Sequence, residues 1–161
     1  MEGTTAKVSR RRILTGSGLG AVAIGLGCGL PEAADQRHPW TADETANVKL
    51  VEDFLTARWA VPLDLPRMGE YLADDCIRGT LDIRVRGREN ILAEIGERYG
   101  NTAAADFTTV QTFARGPIVC NERIENLTMN GRTSRWHGIG VFRCEGGKIK
   151  EWRAFTMESG G

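Results

Sequence analysis

The chain has 161 residues, with 21 basic and 21 acidic side chains and a net charge of zero. That length holds one ordinary domain and little more, and the charge balance points to neither nucleic acid nor an acidic surface as partner. Four cysteines with no CxxC pair and no Cys/His cluster argue against zinc, so no metal and no cofactor is expected.

The first stretch reads as an address. Ser9-Arg10-Arg11-Arg12-Ile13-Leu14 fits the twin-arginine export pattern and runs into a short, glycine-rich apolar segment, Gly16 to Gly27, too short to span a bilayer. Residues 1–34 are therefore expected to be a removable signal, 35–44 a linker and 45–158 the folded domain. The expected location is periplasmic. Leu26-Gly27-Cys28 resembles a lipoprotein cleavage site and makes Cys28 a candidate lipid anchor, whereas Ala33-Ala34 offers a conventional cut; the free and the anchored form both stay open. Past the signal only Cys76, Cys120 and Cys144 are left, an odd count that argues against a disulfide framework in an oxidising compartment.

Thr41-Ala42-Asp43-Glu44 is a capping box. Behind it Val48, Val51, Phe54, Leu55 and Trp59 recur at helical spacing, predicting a helix to about residue 60 with Phe54 and Trp59 as packing residues. Asp64 and Pro66 open a short second helix. Cys76 to Ile83 predicts a short strand, and Ile91, Leu92, Ile95 and Tyr99 mark the apolar face of a third helix closed by Gly100-Asn101. Ala105 to Ala114 alternates as a long strand.

From Pro117 to Met157 apolar and polar residues alternate around two turn signals, predicting three consecutive antiparallel strands. Asn130-Gly131 suits a two-residue type I′ turn, which pairs Met129 with Arg132, Glu125 with Trp136 and Arg123 with Gly138. For Glu145-Gly146-Gly147 a three-residue loop with Gly147 left-handed is preferred, placing Trp152 beside Gly140 and Ala154 beside Gly138. One sheet face then carries Asn121, Arg123, Glu125, Trp136, Gly138, Gly140, Trp152 and Ala154; the other carries Ile124 and His137. A buried arginine and glutamate two residues apart are costly unless paired, so the first face reads as a pocket wall. The competing reading is an ordinary surface salt bridge. The fold class is α+β: helices on one side of an antiparallel sheet, with a cavity between the layers.

Glu122-Arg123-Ile124-Glu125, Gly140-Val141-Phe142 and Gly147 to Arg153, with weaker support from Tyr71 to Asp75 and Gly87-Arg88-Glu89, resemble the nuclear transport factor 2-like (SnoaL-like) superfamily. Within it the likeness is to the limonene-1,2-epoxide hydrolases. The resemblance implies a cone-shaped sheet packed on N-terminal helices. It also implies an Asp-Arg-Asp network: one carboxyl group protonates the epoxide, the arginine bridges, and a second carboxylate deprotonates a water held by a tyrosine and an asparagine. Carried across, the arginine falls on Arg123 and the acid on Glu125. The tryptophan that precedes the base falls on Trp152, and the base on Ala154, which cannot act. The tyrosine and asparagine positions fall on Arg78 and Thr80. Period-2 alternation from these offers Asp82 as a substitute base; its bland alternative is an ion pair at the rim.

The functions compared are therefore an exported, epoxide hydrolase-like enzyme with an altered site, an isomerase or dehydratase of a small ring compound, and a non-catalytic binding module. Each takes a small apolar or weakly polar organic ligand. A homodimer through the outer sheet face, beside His137, is expected.

Overall fold

The computed structural model describes residues 39–80 and 84–158. Asp82, Cys28, His38 and the stretch expected to be an export signal lie outside the described residues. Three helices, α1 (Ala42–Arg58), α2 (Leu65–Gly69) and α3 (Arg88–Tyr99), accompany six strands: β1 (Leu72–Gly79), β2 (Arg84–Arg86), β3 (Thr102–Arg115), β4 (Ile118–Met129), β5 (Arg132–Glu145) and β6 (Lys148–Glu158). The strands form one open sheet in the order β2-β1-β6-β5-β4-β3. The α+β arrangement is the one expected, with two differences. A three-residue strand, β2, pairs antiparallel with β1. The sheet is mixed rather than purely antiparallel, because β1 runs parallel to β6, the chain from β2 through α3 to β5 supplying the long connection that a parallel pair needs.

Local sequence explains most of the boundaries. The Thr41 side chain accepts from the Glu44 backbone while the Glu44 carboxylate accepts from Thr41, so the capping box is complete. The Asp64 side chain accepts from the Arg67 N–H at 3.0 Å and starts α2. Asn130 and Gly131 have φ of 51° and 76°, the two left-handed residues of a type I′ turn. The predicted partners follow: Met129↔Arg132, Glu125↔Trp136 and Arg123↔Gly138.

The second hairpin differs from expectation. Glu145 pairs with Lys148, and Gly146 and Gly147 both have positive φ (57° and 70°), so the turn has two residues. A bulge between Arg143 and Cys144 then shifts the register, setting Trp152 opposite Phe142 and Ala154 opposite Gly140. The extra residue restores the side-chain alternation that the shorter turn alone would invert. Trp152 and Ala154 therefore stay on the inner face, two positions from where a three-residue loop would leave them.

The core lies between α1 and the inner sheet face. Val48, Val51, Phe54 and Leu55 of α1 are buried as their spacing predicts. Phe54 is the hub: its ring stands edge-on to Trp152 at 5.0 Å, Phe142 at 6.0 Å and Tyr71 at 6.4 Å, while Phe142 and Trp152 stack at 6.2 Å. Such pairs contribute about 0.5–1.5 kcal/mol each beyond area burial.

Candidate active site

At the centre of β4 two charges are buried together. Arg123 Nε donates to Glu125 Oε1 at 2.5 Å, with the side chains 2% and 4% exposed. Room for the guanidinium comes from Gly140 on β5. A Cβ on Gly140 would stand 2.9 Å from Arg123 Nη1, and one on Gly138 3.4 Å from Glu125 Oε1. Below the pair, fully buried Asn121 accepts from Arg123 Nη1 at 3.5 Å and donates to Thr112 Oγ1 at 3.1 Å. The surface salt bridge considered from sequence is thus replaced by a buried, geometrically fixed pair.

Glu125 looks into a hollow of about 280 Å³, walled by Trp59, Tyr99, Trp136, Leu127 and Met129. No described residue donates to Glu125 Oε2. Among the described residues lining this hollow, Glu125 is the single carboxylate. An apolar cavity with one committed ion pair is the usual form of a small-molecule site.

A second hollow of about 150 Å³ holds Arg78, Thr80 and Ala154 together with Glu94 of α3, and Arg98 belongs to both walls. Arg78 Nη1 donates to Glu94 Oε2 at 2.5 Å, and its guanidinium carbon lies 4.8 Å from the Trp152 ring centroid. The structure thus brings Glu125, with Arg123 buried behind it, and Trp136 together on one hollow and Arg78, Thr80 and Ala154 on another. Two residues expected to line the pocket do not: Trp152 is 3% exposed in the aromatic core, and Asn121 supports the arginine from beneath.

The SnoaL-like domain family matches residues 51–152, well over half of the chain. The chain belongs to the SnoaL-like domain family. No curated protein matches it. Solved structures similar to this SnoaL-like domain include an LEH-like epoxide hydrolase from M. tuberculosis (23% identity, 71% of this chain and 84% of that one, TM-score 0.63). A candidate SnoaL-like polyketide cyclase from Jannaschia sp. CCS1 is another (16%, 73% and 89%, 0.65). A third is a ketosteroid isomerase-fold protein from Catenulispora acidiphila in complex with trimethylamine (15%, 66% and 84%, 0.58). At these identities the likeness establishes the fold, and the chemistry has to come from the site.

The sequence reading missed several of this SnoaL-like domain's lining residues. Trp59, read as packing, caps α1 and lines the hollow. Arg58 beside it is 3% exposed, its guanidinium carbon 4.2 Å from the Trp59 ring centroid and 4.0 Å from that of Tyr99. Burial pushes its pKa down to about 10. An arginine at a helix C-terminus ordinarily reads as a solvated dipole partner, so no local signal marked it.

Proposed function

We propose that the protein is an exported pocket enzyme in which Glu125 moves a proton on a small ring compound: an isomerase or dehydratase of the SnoaL-like type. The observation that carries this reading is one buried carboxylate, gripped at Oε1 by Arg123 and with no described donor at Oε2, lining a hollow whose described residues include no second acid. Isomerisation needs one such group. Oε2 takes a proton from carbon, the electron pair moves toward an adjacent carbonyl, and the same oxygen returns the proton at another carbon. Arg123 keeps the carboxyl group oriented through both proton transfers.

Epoxide opening is the second reading, favoured by the likeness to the M. tuberculosis epoxide hydrolase and by the arginine-held acid. It requires a base as well, and Ala154 in the family's base position cannot serve; Asp82 is the candidate substitute. Localisation in the periplasm, with Cys28 as the alternative anchor, follows from the twin-arginine pattern, and a homodimer is supported by outer-face residues Ile139, Phe155 and Met157, each at least 40% exposed.

The test is solvent deuterium incorporation into cyclohex-3-en-1-one, followed together with its conjugation. Exchange that falls about 10²- to 10⁴-fold in Glu125→Gln supports the proton-shuttle reading. Absence of exchange, with hydrolysis of a terpene epoxide in ¹⁸O water that is lost in Asp82→Asn, replaces it with the second. Hydrolysis appearing only after Ala154→Asp rules out native epoxide chemistry.

A further inference from the structure

Beside the main hollow lie hydrogen-bond donors that no described residue satisfies. Arg58 Nε, the Trp59 indole Nε1 and Thr102 Oγ1 are buried and without a partner. All three residues line a single crevice of about 10 Å³, which is room for one oxygen-sized atom. Trp59 and Tyr99 wall both the crevice and the main hollow, so the crevice abuts the cavity that Glu125 faces.

Charge points the same way. Around the hollow, Arg123 is taken by Glu125 and Arg132 by Glu158 at 3.1 Å, while Arg98, without a carboxylate partner among the described residues, is exposed to solvent. Among the described residues Arg58 has no carboxylate partner, although it stays protonated at neutral pH with a pKa of about 10. The faces of Trp59 and Tyr99 offset part of the cost of burying that charge, but an uncompensated buried cation remains destabilising. A water molecule in the crevice would satisfy the donors and leave the charge. An anionic oxygen satisfies both.

We propose that the hollow takes a small organic carboxylate, one of whose oxygens seats in the Arg58, Trp59 and Thr102 crevice while its apolar body lies along Trp59, Tyr99 and Trp136 toward Glu125. This rests on the hollow being the ligand site and narrows its substrate class from apolar to amphiphilic. Trp59 then has two roles, a stacking wall and an N–H donor. Arg58 is a specificity residue that selects the anion and takes no part in proton transfer.

Calorimetric titration of the full chain at pH 7 with cyclohexanecarboxylate and its neutral counterpart, cyclohexanecarboxamide, tests it. The expected result is a carboxylate preference of about tenfold or more, as for other charge-assisted contacts, reduced to within about twofold in Arg58→Gln with amide affinity unchanged. Equal affinities in the parent, or a preference that survives Arg58→Gln, overturns the proposal. Binding of the amide alone overturns the carboxylate assignment and leaves the role of Glu125 standing, whereas binding of neither overturns the reading of the hollow itself. Should Arg58→Gln fail to fold, Arg58→Met is decisive. With no ligand present it is expected to melt at or above the parent, because it removes an unpaired buried charge, and to lose the melting shift that added carboxylate gives the parent. A fall of more than about 5 °C would make Arg58 a structural cation and defeat the proposal.

Discussion

Losing one partner of the Arg123–Glu125 pair should cost more than losing both. The side chains are 2% and 4% exposed and meet at 2.5 Å, so either single change strands a buried charge, at a cost of about 3–5 kcal/mol. Glu125→Leu belongs at the upper end of that range: a guanidinium does not shed its proton, and the Asn121 Oδ1 contact at 3.5 Å is too long to replace a carboxylate. Arg123→Met should cost somewhat less, since the carboxylate borders a hollow that water can enter. In the double variant two apolar side chains fill the same space, and the expected stability lies between the parent value and about 4 kcal/mol above it. Guanidinium chloride unfolding of all four proteins, followed by tryptophan fluorescence, measures the cycle. A double variant as unstable as the sum of the singles would mean that the pair is solvated and uncoupled, and the case for a buried acid would fall. With the expected coupling, a stable but inactive double variant would show that the pair is retained for chemistry at some expense in stability.

Gly140→Ala should destabilise by about 1–3 kcal/mol, because the new Cβ would lie 2.5 Å from Phe142 Cε2 and 2.9 Å from Arg123 Nη1, and Phe142 is locked between Phe54 and Trp152. Gly138→Ala meets only ordinary contacts at 3.4 Å and beyond, so chemical denaturation should place it within about 1 kcal/mol of the parent; equal losses at both sites would refute the geometry. Burial pushes the Cys76 thiol up to about 12 and that of Cys144 up to about 11, so native alkylation at pH 8 followed by mass spectrometry should modify Cys120 well before either; prompt labelling of Cys76 would contradict the packing. The Glu44 carboxylate accepts from the Thr41 and Gly116 N–H groups, which hold its pKa below the ordinary value near 4.5. Its contribution to stability is therefore complete above that value and is lost as pH falls through the lowered one. Melts between pH 7 and pH 3 should show a steeper acid decline in the parent than in Glu44→Gln, and matching profiles would refute the assignment.

What could be read without coordinates were features with local causes. The Thr41–Glu44 box, the Asn130-Gly131 turn and the two-residue period of β4 each act over a few residues. Together they placed Arg123 and Glu125 side by side on the same sheet face as Gly138. The second hairpin was misjudged because its register depends on a bulge between Arg143 and Cys144, and a bulge is set by how Trp152 packs against Phe142 and Phe54, residues almost a hundred positions apart. Residues at different depths of the same face were also merged: Trp152 and Asn121 share their strand faces with Glu125 but sit under the core, while Arg78 and Ala154 belong to a separate hollow.

The amino-acid sequence by itself determined the order of elements, the first hairpin's register and the juxtaposition of one acid with one arginine, since turn chemistry and strand alternation are short-range effects. The tertiary structure alone decided that this pair is buried, that the end of α1 brings Trp59 to the same hollow with Arg58 in a neighbouring crevice, and that Ala154 lines a separate hollow. Those outcomes depend on how helix and sheet meet across distant parts of the chain, and burial, unlike a turn, is a property of that meeting.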